Sequence, residues 1–126
     1  PRMQGKKIVL YGGSKGAELA LLLASQKKRI AGVIAVSPSS VVYQGIPKVF
    51  WTPRSSWTLN GKPIPFVPYD ISKGVDVNHL RPLYELSLMN SSKVADAAIP
   101  VEKINGPILL LSGEDDRMWP ASDMAE

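Results

Sequence analysis

Two unbroken apolar runs, separated by a glycine-rich turn and a helix-forming stretch, constrain this chain more than any other feature. Lys6 to Tyr11 (Lys-Lys-Ile-Val-Leu-Tyr) is a short β-branched and aliphatic run bounded by glycine, the pattern of a buried strand. Gly12-Gly13-Ser14-Lys15-Gly16 follows. Ala17 to Ser25 is then rich in alanine and leucine and apolar on most faces, which predicts a helix mostly covered by neighbours. Lys27-Lys28-Arg29 closes that helix, placing cations at the negative end of its dipole. Ile30 to Val36 is the second apolar run. Strand, tight turn, helix and strand in this order make a βαβ unit. Runs that are continuous rather than alternating belong to a parallel sheet covered on both faces, with a right-handed crossover. The expected fold class is therefore α/β, and Pro107 to Ser112 supplies a third buried strand.

Composition removes other classes. At 126 residues, 44% hydrophobic and 21% charged, the chain has one domain's worth of globular sequence. No apolar run approaches the roughly 18 residues of a membrane span, so none is expected. The absence of cysteine excludes a disulfide scaffold, a thiolate metal site and a cysteine nucleophile, and a single histidine argues against structural zinc. No cofactor and no metal are expected. The net charge of +4 is dispersed, with Lys27-Lys28-Arg29 its densest cluster, so no nucleic-acid partner is expected. No signal-like segment follows Pro1, and the chain is expected to be cytoplasmic.

Between the second and third strands the character changes. Pro38 to Pro82 holds seven of the eleven prolines and has no sustained helical period. An Asn-Gly pair at Asn60-Gly61, between strand-like residues, predicts a type I′ hairpin. A connection this long is read as a functional excursion. Leu80 to Met89, with Pro82 in its first turn, and Ser92 to Ala98 are helix candidates.

The turn after the first strand carries the chemistry. Gly12-Gly13-Ser14-Lys15-Gly16 fits G-x-S-x-G. A serine hydroxyl becomes a nucleophile only if it stands clear of the backbone beside a base, and a sharp, strained strand-to-helix turn presents it so. Gly12 and Gly16 are expected to remove side chains that would collide there. The helix N-terminus points its positive end at the site, and the backbone N–H of Lys15 is placed to help bind an oxyanion. A phosphate-cradling turn is the competing reading, but the glycine spacing matches neither nucleotide-binding fingerprint. The Lys15 side chain, adjacent to the serine, is expected to be solvated or near an anionic ligand.

Gly113-Glu114-Asp115-Asp116 follows the third strand. A triad needs a carboxylate fixed at a strand end to orient a histidine, and the order serine then acid is that of α/β-hydrolases. The spacing favours Asp116, leaving Asp115 a structural role. His79 lies before the acid, in the excursion, and is expected to be solvated or to start a helix. The base is expected on sequence outside these residues. Together with the non-methionine start and a helix-like ending, this makes the chain read as a piece of something longer.

Gly13-Ser14-Lys15-Gly16-Ala17-Glu18-Leu19, Ser37-Pro38-Ser39-Ser40-Val41-Val42 and Gly113-Glu114-Asp115-Asp116-Arg117-Met118-Trp119 resemble segments of one family. It is the acyl-CoA thioesterase and bile-acid-CoA:amino-acid N-acyltransferase family, in the catalytic domain of its bacterial members, which are α/β-hydrolases related to dienelactone hydrolases. The resemblance implies an α/β-hydrolase fold of which residues 1–126 form an incomplete domain, the central parallel part of its sheet, with the 38–82 excursion a cap-like insert. It implies a Ser–Asp–His triad acting on acyl thioesters, with Ser14 the nucleophile, Asp116 the acid and Lys15 N–H an oxyanion donor. Serine in place of the acyltransferases' cysteine implies hydrolysis. The expected substrate is an acyl thioester or ester, a CoA ester among them. The alternatives are a non-catalytic fragment or a general carboxylesterase. Trp51, Trp57, Phe50 and Phe66 either line an acyl pocket or form a small core. Arg54, Lys48 and Lys62 are more in keeping with solvated surface than with CoA phosphates. Open sheet edges are expected to need covering by association.

Overall fold

The computed structural model describes residues 5–46 and 52–126. Strand β1 (Ile8–Gly13) leads through Ser14 into helix α1 (Lys15–Gln26), and α1 returns the chain to β2 (Ile30–Val36). The excursion contains the hairpin β3 (Thr58–Leu59) and β4 (Lys62–Pro63). Helices α2 (Arg81–Leu88) and α3 (Ser91–Ala97) and a short 3₁₀ turn (Val101–Lys103) precede β5 (Ile108–Leu111), and α4 (Ala121–Ala125) ends the described chain. β1, β2 and β5 form one parallel sheet in that order. This is the expected βαβ unit with a third strand added beside β2.

The hairpin turns at Asn60 (φ 51°) and Gly61 (φ 76°), the paired positive φ values of a type I′ turn. Pro82 stands in the first turn of α2, where its missing N–H costs nothing. The Asn90 side chain caps α3 by accepting from the Lys93 N–H.

Register shows which sheet face is covered. Leu10, Val33 and Ile108 align across the three strands and pack with Ala17, Leu21 and Ala24 of α1. Tyr11, Ile34 and Leu109 align on the opposite face, where Tyr11 is 74% and Leu109 51% exposed. The expectation of strands buried on both faces therefore fails at β1 and β5, while β2 holds only buried and half-buried positions. Among the described residues only one face is covered, and β1 and β5 are the sheet's two edges.

The excursion is not an empty loop. Val41, Val42, Tyr43 and Gln44 are fully buried, and bridges join Val41 to Ala98, Tyr43 to Val67 and Gln44 to Ser55. A second core forms where Tyr43, Tyr69, Tyr84 and Trp119 converge. Tyr84 meets Tyr43 edge-on at 4.9 Å between ring centroids, Tyr69 at 5.4 Å and Trp119 at 5.5 Å, the geometry that ring quadrupoles favour. Trp119 belongs to the segment after Asp116, so this core also anchors the acidic loop.

Candidate active site

The site grows from the C-terminal ends of β1 and β5. β1 runs through both Gly12 and Gly13 because parallel pairing continues to Val36, and the chain turns at Ser14. Ser14 has φ 51° and ψ −122°, a conformation a non-glycine residue adopts only at a cost of about 1–3 kcal/mol. Neighbouring structure holds it there. The Ser14 N–H donates to the Val36 carbonyl at 2.9 Å, and the Ser14 carbonyl accepts from the N–H groups of Ala17 and Glu18 at 2.9 and 3.1 Å. Although Ser14 is the residue before α1, its side chain makes no capping bond, and the residue is exposed. The hydroxyl is thus presented rather than used. Lys15 and Gly16 open the helix, where backbone N–H groups have no intrahelical acceptor and point out of the helix end.

The two glycines of the turn differ. A Cβ on Gly12 would overlap the backbone carbonyl of Gly16, whereas one on Gly16 would meet nothing nearby among the described residues. The collision foreseen for both positions is real at Gly12 alone, because it is the Gly16 backbone, not its side-chain position, that crowds the turn.

On the acid side, the Ser37 N–H donates to the Leu111 carbonyl at 2.7 Å, tying the end of β2 to that of β5. Asp116 Oδ1 accepts from the N–H groups of Met118 at 2.9 Å and Trp119 at 3.3 Å, while Arg81 donates to the Asp116 carbonyl at 2.8 Å. No hydrogen bond from the described residues reaches Asp116 Oδ2. One oxygen is locked and the other is open to a donor. Asp115, by contrast, forms a solvent-side pair with Arg117 at 3.5 Å. Asp115 thus lies in a solvated turn, while Asp116 accepts the loop's own backbone N–H groups.

His79 is 76% exposed and pairs with Asp76 at 3.0 Å. Asp76 sits below the usual carboxylate range, because the Asn78 N–H and then His79 donate to it.

Lys15 is placed differently from expectation. Its ammonium donates to both oxygens of Glu18 at 2.8 Å and to the Tyr43 carbonyl at 3.2 Å, so its donors are used internally rather than in solvent or on a ligand. Glu18 is fully buried and also accepts from the Trp57 indole N–H at 2.7 Å and the Tyr43 N–H at 3.2 Å. Burial pulls Lys15 down against the opposing carboxylate, and burial pushes Glu18 up against the opposing ammonium. The sequence reading gave Glu18 and Arg81 no side-chain role and did not connect Trp57 with the serine turn. The available signal was the opposite charges three residues apart in the first turn of an otherwise apolar helix.

All 126 residues match the family described as BAAT / Acyl-CoA thioester hydrolase C terminal. The chain belongs to this family. Membership in the acyl-CoA thioester hydrolase C-terminal family agrees with the resemblance carried by the three motif segments. The chain is also 27% identical over 119 residues to a protein named peroxisomal succinyl-coenzyme A thioesterase from Mus musculus. That alignment covers 94% of this chain and 26% of the relative, so the chain spans about a quarter of that protein's length.

Other sequence candidates lie in the excursion. Trp57 borders a groove with Leu22 and Ile64, and Phe66 borders one with Ile64, Pro53, Pro68 and Lys93. Both also pack against the first core. Phe50, Trp51 and Lys48 lie outside the described residues. Arg54 and Lys62 are exposed, in keeping with solvated surface. Among the described residues no cluster of His, Asp and Glu suits a metal ion, and no helix is long and apolar enough to cross a membrane.

Proposed function

We propose that this chain is the nucleophile-to-acid segment of a serine hydrolase that cleaves acyl thioesters, acyl-CoA among them. The observation that carries the reading is the Ser14 turn: a strained φ of 51°, an uncommitted hydroxyl, and a helix N-terminus directly behind it. Ser14 Oγ attacks the thioester carbonyl carbon while its proton passes to a histidine base. The Lys15 N–H receives the oxyanion, together with a donor from outside these residues. Collapse breaks the C–S bond, and the protonated base gives its proton to the departing thiolate. Water, deprotonated by the same base, then hydrolyses the acyl-serine. Asp116, with Oδ1 locked by its own turn, offers Oδ2 to orient the base and stabilise its cation. Residues 38–82 act as the cap-like insert near the carboxyl ends of the strands, where α/β sheets bind ligands.

The engagement of His79 with Asp76 favours a base supplied from outside these 126 residues. It also favours the second reading, that residues 1–126 by themselves do not turn over substrate. The open face at Tyr11 and Leu109 suits an incomplete domain that other sequence covers.

The test is labelling of the full-length protein with a fluorophosphonate, alongside thioester turnover. Labelling abolished by Ser14→Ala is expected, with thiol released from acyl-CoA. No labelling, or labelling indifferent to Ser14→Ala, would overturn the reading.

A further inference from the structure

Three separate stretches of chain end on one carboxylate. Glu18 lies in the first turn of α1, directly behind the serine turn, and is 0% exposed. Its Oε1 accepts from Trp57 Nε1–H at 2.7 Å, its Oε2 accepts from the Tyr43 N–H at 3.2 Å, and Lys15 Nζ donates to both oxygens. The Tyr43 carbonyl accepts from Lys15 Nζ at 3.2 Å and from Ser56 Oγ at 2.8 Å, closing the network. Lys15 is the residue after the nucleophile, and Tyr43, Ser56 and Trp57 belong to the excursion.

Stability is a poor explanation for such an arrangement. A buried ion pair loses much of its attraction to desolvation, and apolar replacements of similar volume are often neutral or stabilising. The directions of the two shifts, Lys15 down and Glu18 up, both with burial as the leading cause, agree with a pair that burial penalises. What the network supplies is fixed geometry, since every donor and acceptor in it is directional.

We propose that Glu18 is a positioning residue that locks the serine turn to the excursion, fixing Lys15 and with it the N–H beside Ser14. The proposal rests on the reading of Ser14 as nucleophile. Glu18 does not touch substrate; it acts through Lys15 and Trp57. Loss of the lock displaces the oxyanion donor, and displacements near 1 Å cost on the order of a hundredfold in rate.

The experiment uses the full-length protein with Glu18→Gln, Lys15→Met and the double variant. Three quantities are measured: the rate of Ser14 labelling by a small fluorophosphonate, kcat and KM on an acyl-CoA, and thermal stability. Glu18→Gln is expected to lower labelling and kcat together by roughly ten- to a hundredfold, with KM changed much less. The double variant removes the buried charges as a pair. It is expected to melt at or above the wild-type temperature yet remain as slow as Glu18→Gln. That split marks positioning, because a merely structural pair would recover rate and stability together. Labelling by Glu18→Gln within about twofold of wild type, or recovery of rate in the double variant, overturns the proposal. If Glu18→Gln does not fold, the double variant decides alone. If the unmodified protein is not labelled at Ser14, the functional reading fails and takes this inference with it. Normal labelling that is indifferent to Glu18 removes only the inference.

Discussion

The α-carbon of Gly12 sits directly beneath the carbonyl of Gly16, with no room for a methyl group between them. Both partners are backbone, so neither yields by a rotamer change. Gly12→Ala is expected to destabilise by about 1–3 kcal/mol or more, the range for forced overpacking. Gly16→Ala has open space and a helical position, and is expected to be neutral or to stabilise by about 0.5–1 kcal/mol. Denaturant midpoints of the two variants check this. Equal losses would show that the turn needs both glycines for room.

Asp115 and Asp116 are neighbours with different surroundings. The Asp115–Arg117 pair is 89% and 86% exposed at 3.5 Å, the class of pair that contributes little. Asp115→Asn is expected to leave turnover within about twofold and stability unchanged. Asp116→Asn keeps a carbonyl oxygen for the Met118 and Trp119 N–H groups, so the loop is expected to survive while turnover falls by on the order of 10³–10⁴-fold. Asp116→Ala loses the turn as well and is expected to melt earlier. Kinetics of all three in the full-length protein, with melting curves, read both effects. Equal activity in Asp116→Asn and Asp115→Asn would remove Asp116 from the triad.

Burial pushes the phenols of Tyr43, Tyr69 and Tyr84 up. Their folded-state values therefore lie above the unfolded value of about 10. The folded state holds these protons more tightly. The stability this contributes is fully present below pH ~10 and is lost as pH rises past it toward the folded values. Tyr11 is 74% exposed and apart from this cluster. Tyrosinate absorbance from the three buried rings is expected to appear together, in step with loss of secondary structure by circular dichroism. Gradual ionisation of Tyr43, Tyr69 and Tyr84 in a still-folded protein would contradict the packing described here.

The βαβ frame was legible because its signal is local. Ile30–Val36 is a strand from end to end as its apolar run implied, and the serine turn lies where strand and helix patterns meet. β1 extends two residues further than its apolar run, since parallel pairing to β2 depends on backbone groups that glycine also has. The Glu18 network was not legible. A carboxylate in a helix usually marks a solvated face, and its partners Tyr43 and Trp57 lie 25 and 39 residues away. Lys15 was misplaced for the same reason, as its ammonium follows Glu18 into the interior. Continuous apolar runs implied cover on both sheet faces, but the register of Tyr11 with Ile34 and Leu109 leaves one of them open.

β2 lies between the strand that ends at the serine and the strand that leads to the acid. Adjacent strands are about 4.8 Å apart, so the two outer strands are separated by roughly 10 Å, several times the length of a hydrogen bond. The central strand therefore acts as a spacer of set width. It holds the serine turn and the acidic loop at the ends of different strands, one strand apart.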